Sequence, residues 1–169
     1  ALGSVVLSVA FGTLAAYSFS RFELKGKGIW LFFILSTRML PPVAVLVPMF
    51  LMYRKLGLMN THIGLILLYT MFSLSFAVWM MKGFIDEIPK ELEEAAMIDG
   101  YSRIRSFIKA TLPQAITGIA ATAVFCLITS WNEFVFAYVT SGFDTRTVPV
   151  ALARIRGEAG INWGMVTAT

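Results

Sequence analysis

The chain has 169 residues, of which 57% are hydrophobic and 14% charged, with a formal charge of +4; its mean hydropathy is +0.75. Soluble domains hold roughly 45–50% apolar and about 25% charged residues, and a domain of this size has too much surface per volume to hide such an excess, so a water-soluble globule is excluded. The basic residues form no single patch but sit in short segments between apolar runs, as membrane proteins distribute them, which argues against a nucleic-acid partner.

A bilayer core about 30 Å thick takes roughly 20 apolar residues in a helix. The first such run is 1–20, closed by Arg21, and its Gly3, Ser4, Ser8, Gly12, Ala15 and Ala16 allow close helix packing in lipid. Without an N-terminal Met or a basic leader it does not read as a signal peptide, and the chain is expected to begin partway through a longer protein. The second run, 28–53, contains Pro41, Pro42 and Pro48 and is expected to be kinked or broken. The third covers 62–81 and the fourth 113–140, with Pro113 placed to open its helix. From about 161 the chain looks like a further span cut short. The fold class is therefore all-α, a polytopic membrane helical bundle forming a single membrane domain.

Between the third and fourth runs lies the one long polar stretch, 82–112. It must share a side of the membrane with 21–27, because two spans separate them. Together these segments carry eight Lys and Arg: Arg21, Lys25, Lys27, Lys82, Lys90, Arg103, Arg105 and Lys109. The opposite segments, 54–61 and 141–162, carry five: Arg54, Lys55, Arg146, Arg154 and Arg156. The excess favours a cytoplasmic 82–112.

Within that stretch, Pro89 suits a first helical turn, and Glu91, Glu93 and Glu94 complement the positive end of the helix dipole. Leu92, Ala95, Ala96 and Asp99 share one face by spacing. Asp99-Gly100 ends the helix, with Gly free to take a left-handed conformation. A second short helix is expected to line up Ile104, Phe107 and Ile108. The product is a compact polar knob able to transmit force only if something docks on it.

Glu94-Ala95-Ala96, Gly100 after three further residues, and Leu112-Pro113 resemble the EAA signature of binding-protein-dependent ABC importer permeases. That family has Ile where this chain has Ala110; the spacing is otherwise intact. Leu40-Pro41-Pro42, Val47-Pro48, Leu56-Gly57-Leu58 with Asn60-Thr61, Ile88-Pro89 and Trp131-Asn132-Glu133-Phe134 resemble its maltose-type carbohydrate branch. The resemblance implies a type I importer transmembrane domain in a bacterial plasma membrane, working by alternating access. It also implies three kinds of partner: a dimer of ATP-binding subunits, a second permease subunit and an extracytoplasmic solute-binding protein. ATP and Mg would sit on the ATP-binding subunits, and this chain has no phosphate-binding loop of its own. The ATPase-coupling residues it points to are Glu93, Glu94, Ala95, Ala96, Asp99, Gly100, Phe107, Leu112 and Pro113. Glu94 is assigned to the docking face, with Glu93 the milder position if it faces solvent.

Arg38, Asn132 and Glu133 are costly at membrane depth and must face protein or water. Arg38 either bonds carbonyls freed by Pro41 and Pro42 or lines the cavity. Asn132 and Glu133 are either a polar wall on the sugar path or an interfacial pair. His62 has no neighbouring ligand that would make a metal site. Trp30, Trp79, Tyr53 and Tyr138 are placed as interfacial belt residues. The remaining alternatives are a permease for another solute, such as a polyamine or phosphate, and a membrane scaffold or membrane-embedded enzyme.

Overall fold

The structure, a computed structural model, describes residues 1–158. The run expected from about 161 lies outside the described residues. In chain order the helices are α1 (Leu2–Arg21), α2 (Lys27–Ser36), α3 (Pro42–Lys55), α4 (His62–Asp86), α5 (Glu91–Ile98), α6 (Arg103–Ser106), α7 (Leu112–Gln114), α8 (Ile116–Trp131), α9 (Val135–Thr140) and α10 (Val148–Glu158). A 3-10 turn, Thr37–Met39, succeeds α2, and a π turn, Phe107–Thr111, joins α6 to α7.

Helices α1 and α4 are each long and apolar enough to cross a membrane, and their contact is the largest between elements. The reason is written in α1. Ser4, Ser8, Gly12, Ala16 and Ser20 recur every fourth residue and are all buried, so one stripe of small side chains lets two backbones approach closely. Ser8 Oγ lies 3.4 Å from Thr70 O, Gly12 rests on Ala77, and Ser20 Oγ donates to Asp86 at 2.6 Å. Residue numbers rise together along that seam, so the two helices run parallel. Helix α8 runs antiparallel to α4, with Gly118 against Phe84 and Ser130 Oγ 3.4 Å from Ser73 Oγ.

The other two runs are bent. Helices α2 and α3 meet at 91°, because Leu40 and Pro41 are extended ahead of Pro42; a residue preceding proline is driven out of the helical region. Pro48 remains inside α3. The fourth run departs from expectation at both ends. Pro113 does not open the helix; it lies in a continuous turn-on-turn segment from Arg103, and the 72° bend comes after it, at Ala115. Proline supplies no N–H to the carbonyl four residues back, and the chain adapts by widening to a π turn, with Leu112 N–H bonded to Phe107 O. At the far end α8 stops at Trp131, and 135–140 is a separate helix. Helix α4, conversely, runs on to Asp86.

Tyr53 is not a belt residue. It is 4% exposed, donates to Gly64 O at 3.2 Å, and packs with Leu65, Leu68 and Phe136. Trp79 is half-exposed and donates to Leu31 O at 3.0 Å, tying α4 to α2.

A β-carbon at Gly12 would fall 2.7 Å from that of Ala77, whereas one at Gly83 meets nothing within 4 Å among the described residues. Gly12→Val is expected to lower the unfolding midpoint of the detergent-solubilised protein, by an overpacking cost of about 1–3 kcal/mol. Gly83→Ala should raise it slightly, since helix-interior glycine costs roughly 0.5–1 kcal/mol. Equal midpoints for the two variants would contradict the parallel seam.

Candidate functional site

The polar loop folds into a knob at the Arg21 end of the bundle. Helix α5 starts where the Glu93 and Glu94 N–H groups both bond to Lys90 O, at 3.0 and 3.1 Å. It ends in a Schellman cap: Tyr101 N–H reaches Ala96 O and Gly100 N–H reaches Met97 O, each at 3.1 Å. Gly100 has φ +91, a conformation that a side chain strains. The Asp99-Gly100 reversal is thus built as the sequence pattern requires.

Which residues face inward is a different matter. Glu93 is 6% exposed, so it does not face solvent, and the idea of it as a mild surface position is overturned. Its Oε1 accepts from Arg21 Nε and from Thr111 Oγ1, both at 2.6 Å, and its Oε2 accepts from the Tyr17 hydroxyl at 2.9 Å. Arg21 Nη2 also donates to Ile88 O at 2.9 Å, and Ser106 Oγ donates to Glu93 O at 3.0 Å. Leu92, Glu94, Ala95 and Asp99 turn outward, while Ala96 is half-buried. The expected Ile104–Phe107–Ile108 face splits as well. Phe107 is buried, its ring 4.4 Å from that of Tyr17, whereas Ile104 and Ile108 are exposed. The π turn begins at Phe107 and shifts the helical register beyond it, so Thr111 comes to face Glu93. Leu112 packs half-buried beside this cluster, and Pro113 is exposed.

Burial alone would push the Glu93 carboxyl up. Hydrogen bonds from Thr111, Arg21 and Tyr17, together with the Arg21 charge, outweigh it and hold the group below its ordinary value.

The three residues assigned to membrane depth do not act as one group. Arg38 and Glu133 line the same cavity, of about 190 Å³, with Thr37, Ser73, Thr129 and Ser130. Arg38 lies over the Phe76 ring at 5.4 Å, and among the described residues it bonds none of the carbonyls ahead of Pro41 and Pro42. Glu133 accepts from the N–H groups of Phe136 and Ala137, at 3.0 and 3.1 Å, so it caps α9 while edging the cavity. Asn132 is exposed and does not line that cavity; its Nδ2 donates to Ile128 O at 2.9 Å and closes α8.

At the opposite end, Asn60 adopts φ +53 and accepts from Gly142 N–H and Thr145 Oγ1, both at 2.8 Å. Its own N–H bonds to Thr140 O at 2.9 Å. The segment 56–61 and the turn after α9 are thereby clasped together.

Residues 8–168 match the family described as the binding-protein-dependent transport system inner membrane component. The chain belongs to that family. Among relatives, this chain is 37% identical over 163 residues to the trehalose/maltose transport system permease protein of Thermococcus litoralis, covering 95% of this chain and 59% of that one. It is 36% identical over 169 residues to the sulfoquinovosyl glycerol transport system permease protein of Agrobacterium fabrum, covering 99% and 59%. An ABC transporter permease protein of Streptomyces antibioticus is 38% identical over 162 residues, covering 95% and 71%. The chain thus spans about three-fifths of the length of the first two. A bacterial ABC transporter involved in the import of the acidic polysaccharide alginate shares its fold, with TM-score 0.71 at 24% identity over 98% of this chain and 61% of that one. The bundle is accordingly an ABC importer transmembrane fold, all-α and membrane-embedded.

Sequence reading did not find Arg21, Tyr17, Ser106 or Thr111. The one signal was that Tyr17 and Arg21 lie one turn apart at the end of an apolar run, on one helix face.

A carboxyl whose folded-state pKa is depressed contributes stability above its unfolded value and loses it as pH falls through the folded one. Amide protection factors over 96–101 and 106–111 should therefore hold level from neutral pH to the ordinary carboxylate range and fall only below it. Loss of protection on mild acidification, where histidine titrates, would contradict the anchoring by ionised Glu93.

Proposed function

We propose that this chain is the membrane-spanning permease subunit of an ATP-driven importer in a bacterial inner membrane, carrying a sugar delivered by an extracytoplasmic binding protein. The knob over 89–110 is the part that docks on an ATP-binding subunit, on the cytoplasmic side that its basic residues favour. ATP and Mg are held by the two ATP-binding subunits, and the translocation path forms between this chain and a second permease subunit. Because the chain covers three-fifths of the trehalose/maltose relative, these roles are proposed for the whole protein of which it is part.

One observation carries this. The knob is too polar to enter lipid, yet it holds Ile98 at 86% exposed and Ile104 at 73%, with Tyr101 and Ile108 half-exposed beside them. Apolar side chains gathered on a loop outside the bilayer mark a surface made to be covered. Glu94, Ala95 and Asp99 are exposed as well, so a partner meets carboxylates amid aliphatic contacts. The names of two relatives, for trehalose/maltose and sulfoquinovosyl glycerol, support a carbohydrate. So do the hydroxyls of Thr37, Ser73, Thr129 and Ser130, which border one cavity with Arg38 and Glu133, since sugars are bound through hydrogen bonds from groups of this kind. Asn132, turned into its own helix end, is not assigned to the path.

The test uses Gly100. Beyond its chain neighbours, a β-carbon there meets no atom of the described residues within 4 Å, and its backbone strain is roughly 1 kcal/mol, too little to unfold a bundle of this size. Gly100→Val is expected to insert at normal abundance yet fail to retain the ATP-binding subunit in pull-down, with uptake of radiolabelled maltose and trehalose lost. Glu94→Lys should act the same way by reversing charge on the covered surface. Normal retention and uptake in Gly100→Val would overturn the docking assignment.

A further inference from the structure

The loop joins the bundle covalently at two places, and both are bends. Helix α4 ends at Asp86 and α5 begins at Glu91, with a short non-helical connection between them. On the exit side the chain turns by 72° at Ala115. A push on the knob can be absorbed as rotation at either bend. Helix α1 has no direct covalent link to the loop, since 72 positions separate Arg21 from Glu93. Yet it is held there by a buried ion pair, Arg21–Glu93, whose side chains are 5% and 8% exposed.

The geometry of that contact goes beyond packing. One carboxylate takes donors from two segments, Arg21 and Tyr17 on α1 and Thr111 on the π turn, while its own backbone belongs to a third, α5. Arg21 reaches past the carboxylate to Ile88 O in the connection itself. The apolar contact of Tyr17 with Phe107 resists separation but is non-directional, so it does not prevent sliding. Charge-assisted hydrogen bonds fix orientation as well as distance. A second tie, Ser20 to Asp86, with Lys82 paired to the same carboxylate, locks the ends of α1 and α4 side by side.

We propose that Glu93 and Arg21 are positioning residues that make α1 and the knob one rigid body, so that displacement of the knob is delivered to α1 directly rather than lost at the two bends. Tyr17 and Thr111 complete the junction. The small-residue seam then passes the motion from α1 to α4. The outer surface of the knob serves docking; the buried carboxylate beneath it serves transmission. This role rests on the loop being the ATPase-docking element.

The test measures distances in the full-length permease assembled with its ATP-binding subunits in nanodiscs, in a Cys126→Ser background. Spin labels are placed at Ser102→Cys on the knob and Leu2→Cys at the far end of α1, both exposed positions. A reference pair joins Ser102→Cys to Asp144→Cys. On trapping with ADP and vanadate, the reference distance should shift while the Ser102–Leu2 distance stays fixed. In Glu93→Gln, with the ATP-binding subunit still bound and hydrolysing ATP, the Ser102–Leu2 distance should shift. If Glu93→Gln does not reach the membrane, Arg21→Lys keeps the charge, loses the Ile88 contact and should show the same shift. A Ser102–Leu2 distance that moves in the parent protein, or stays fixed in both variants, overturns the proposal. An ATP-binding subunit that never associates with the parent protein overturns the docking reading instead, and the two failures are told apart by the pull-down.

Discussion

A single buried carboxylate organises the functional end of this molecule. Taking Glu93 and Arg21 out of water costs several kcal/mol per ion, and only good geometry with further hydrogen bonds offsets it. The structure supplies both, with Tyr17 and Thr111 occupying the remaining carboxylate positions and Ile88 O taking the second guanidinium nitrogen. Removing one partner of such a pair leaves an uncompensated charge and costs about 3–5 kcal/mol, so this arrangement tolerates little displacement. That constraint fixes α5 against α1 and sets which face of α5 is outward, and so decides which residues are left exposed. The Schellman cap at Gly100 then turns the chain back without adding bulk.

The rest of the bundle is organised around two straight helices and two bent runs. The straight pair, α1 and α4, packs through small side chains, since in lipid close van der Waals approach does the work that water exclusion does elsewhere. The bent runs carry the cavity. Arg38 lies in the last turn before the break at Leu40, and Glu133 comes just past the end of α8, so both charges sit where the helix is already interrupted. Backbone irregularity at membrane depth is tolerated where it is buried in protein or lines a cavity, and charged residues there face the same places.

Much of this was legible in the sequence, because the signals were local. The run lengths, the small residues of α1, the prolines around 41–48 and the glycine at 100 each act through a few neighbouring residues. The choice between Glu93 and Glu94 was not legible. On a helix of eight residues, two adjacent glutamates point about 100° apart, and nothing local says which finds a cation. The partner, Arg21, is 72 positions away. Phe107 parted from Ile104 and Ile108 because its ring packs on Tyr17, a distant partner, and the π turn that brings Thr111 to Glu93 is one that the spacing of apolar residues does not reveal. Asn132 and Glu133, read as one polar pair, act oppositely: one closes α8, the other caps α9. Tyr53 looked interfacial by position, but its hydroxyl finds Gly64 O inside the core.

Whether an ATP-binding subunit covers the surface bearing Ile98 decides between a coupling knob and an idle loop. A photo-crosslinking amino acid placed at Ile98 in the full-length protein, in native membranes, tests this directly, with Phe143 at the opposite end as the comparison; both are strongly exposed. A coupling knob predicts an adduct between position 98 and the ATP-binding subunit, and none from position 143. An adduct to that subunit from position 143, or none from position 98 in membranes that transport sugar, would contradict it.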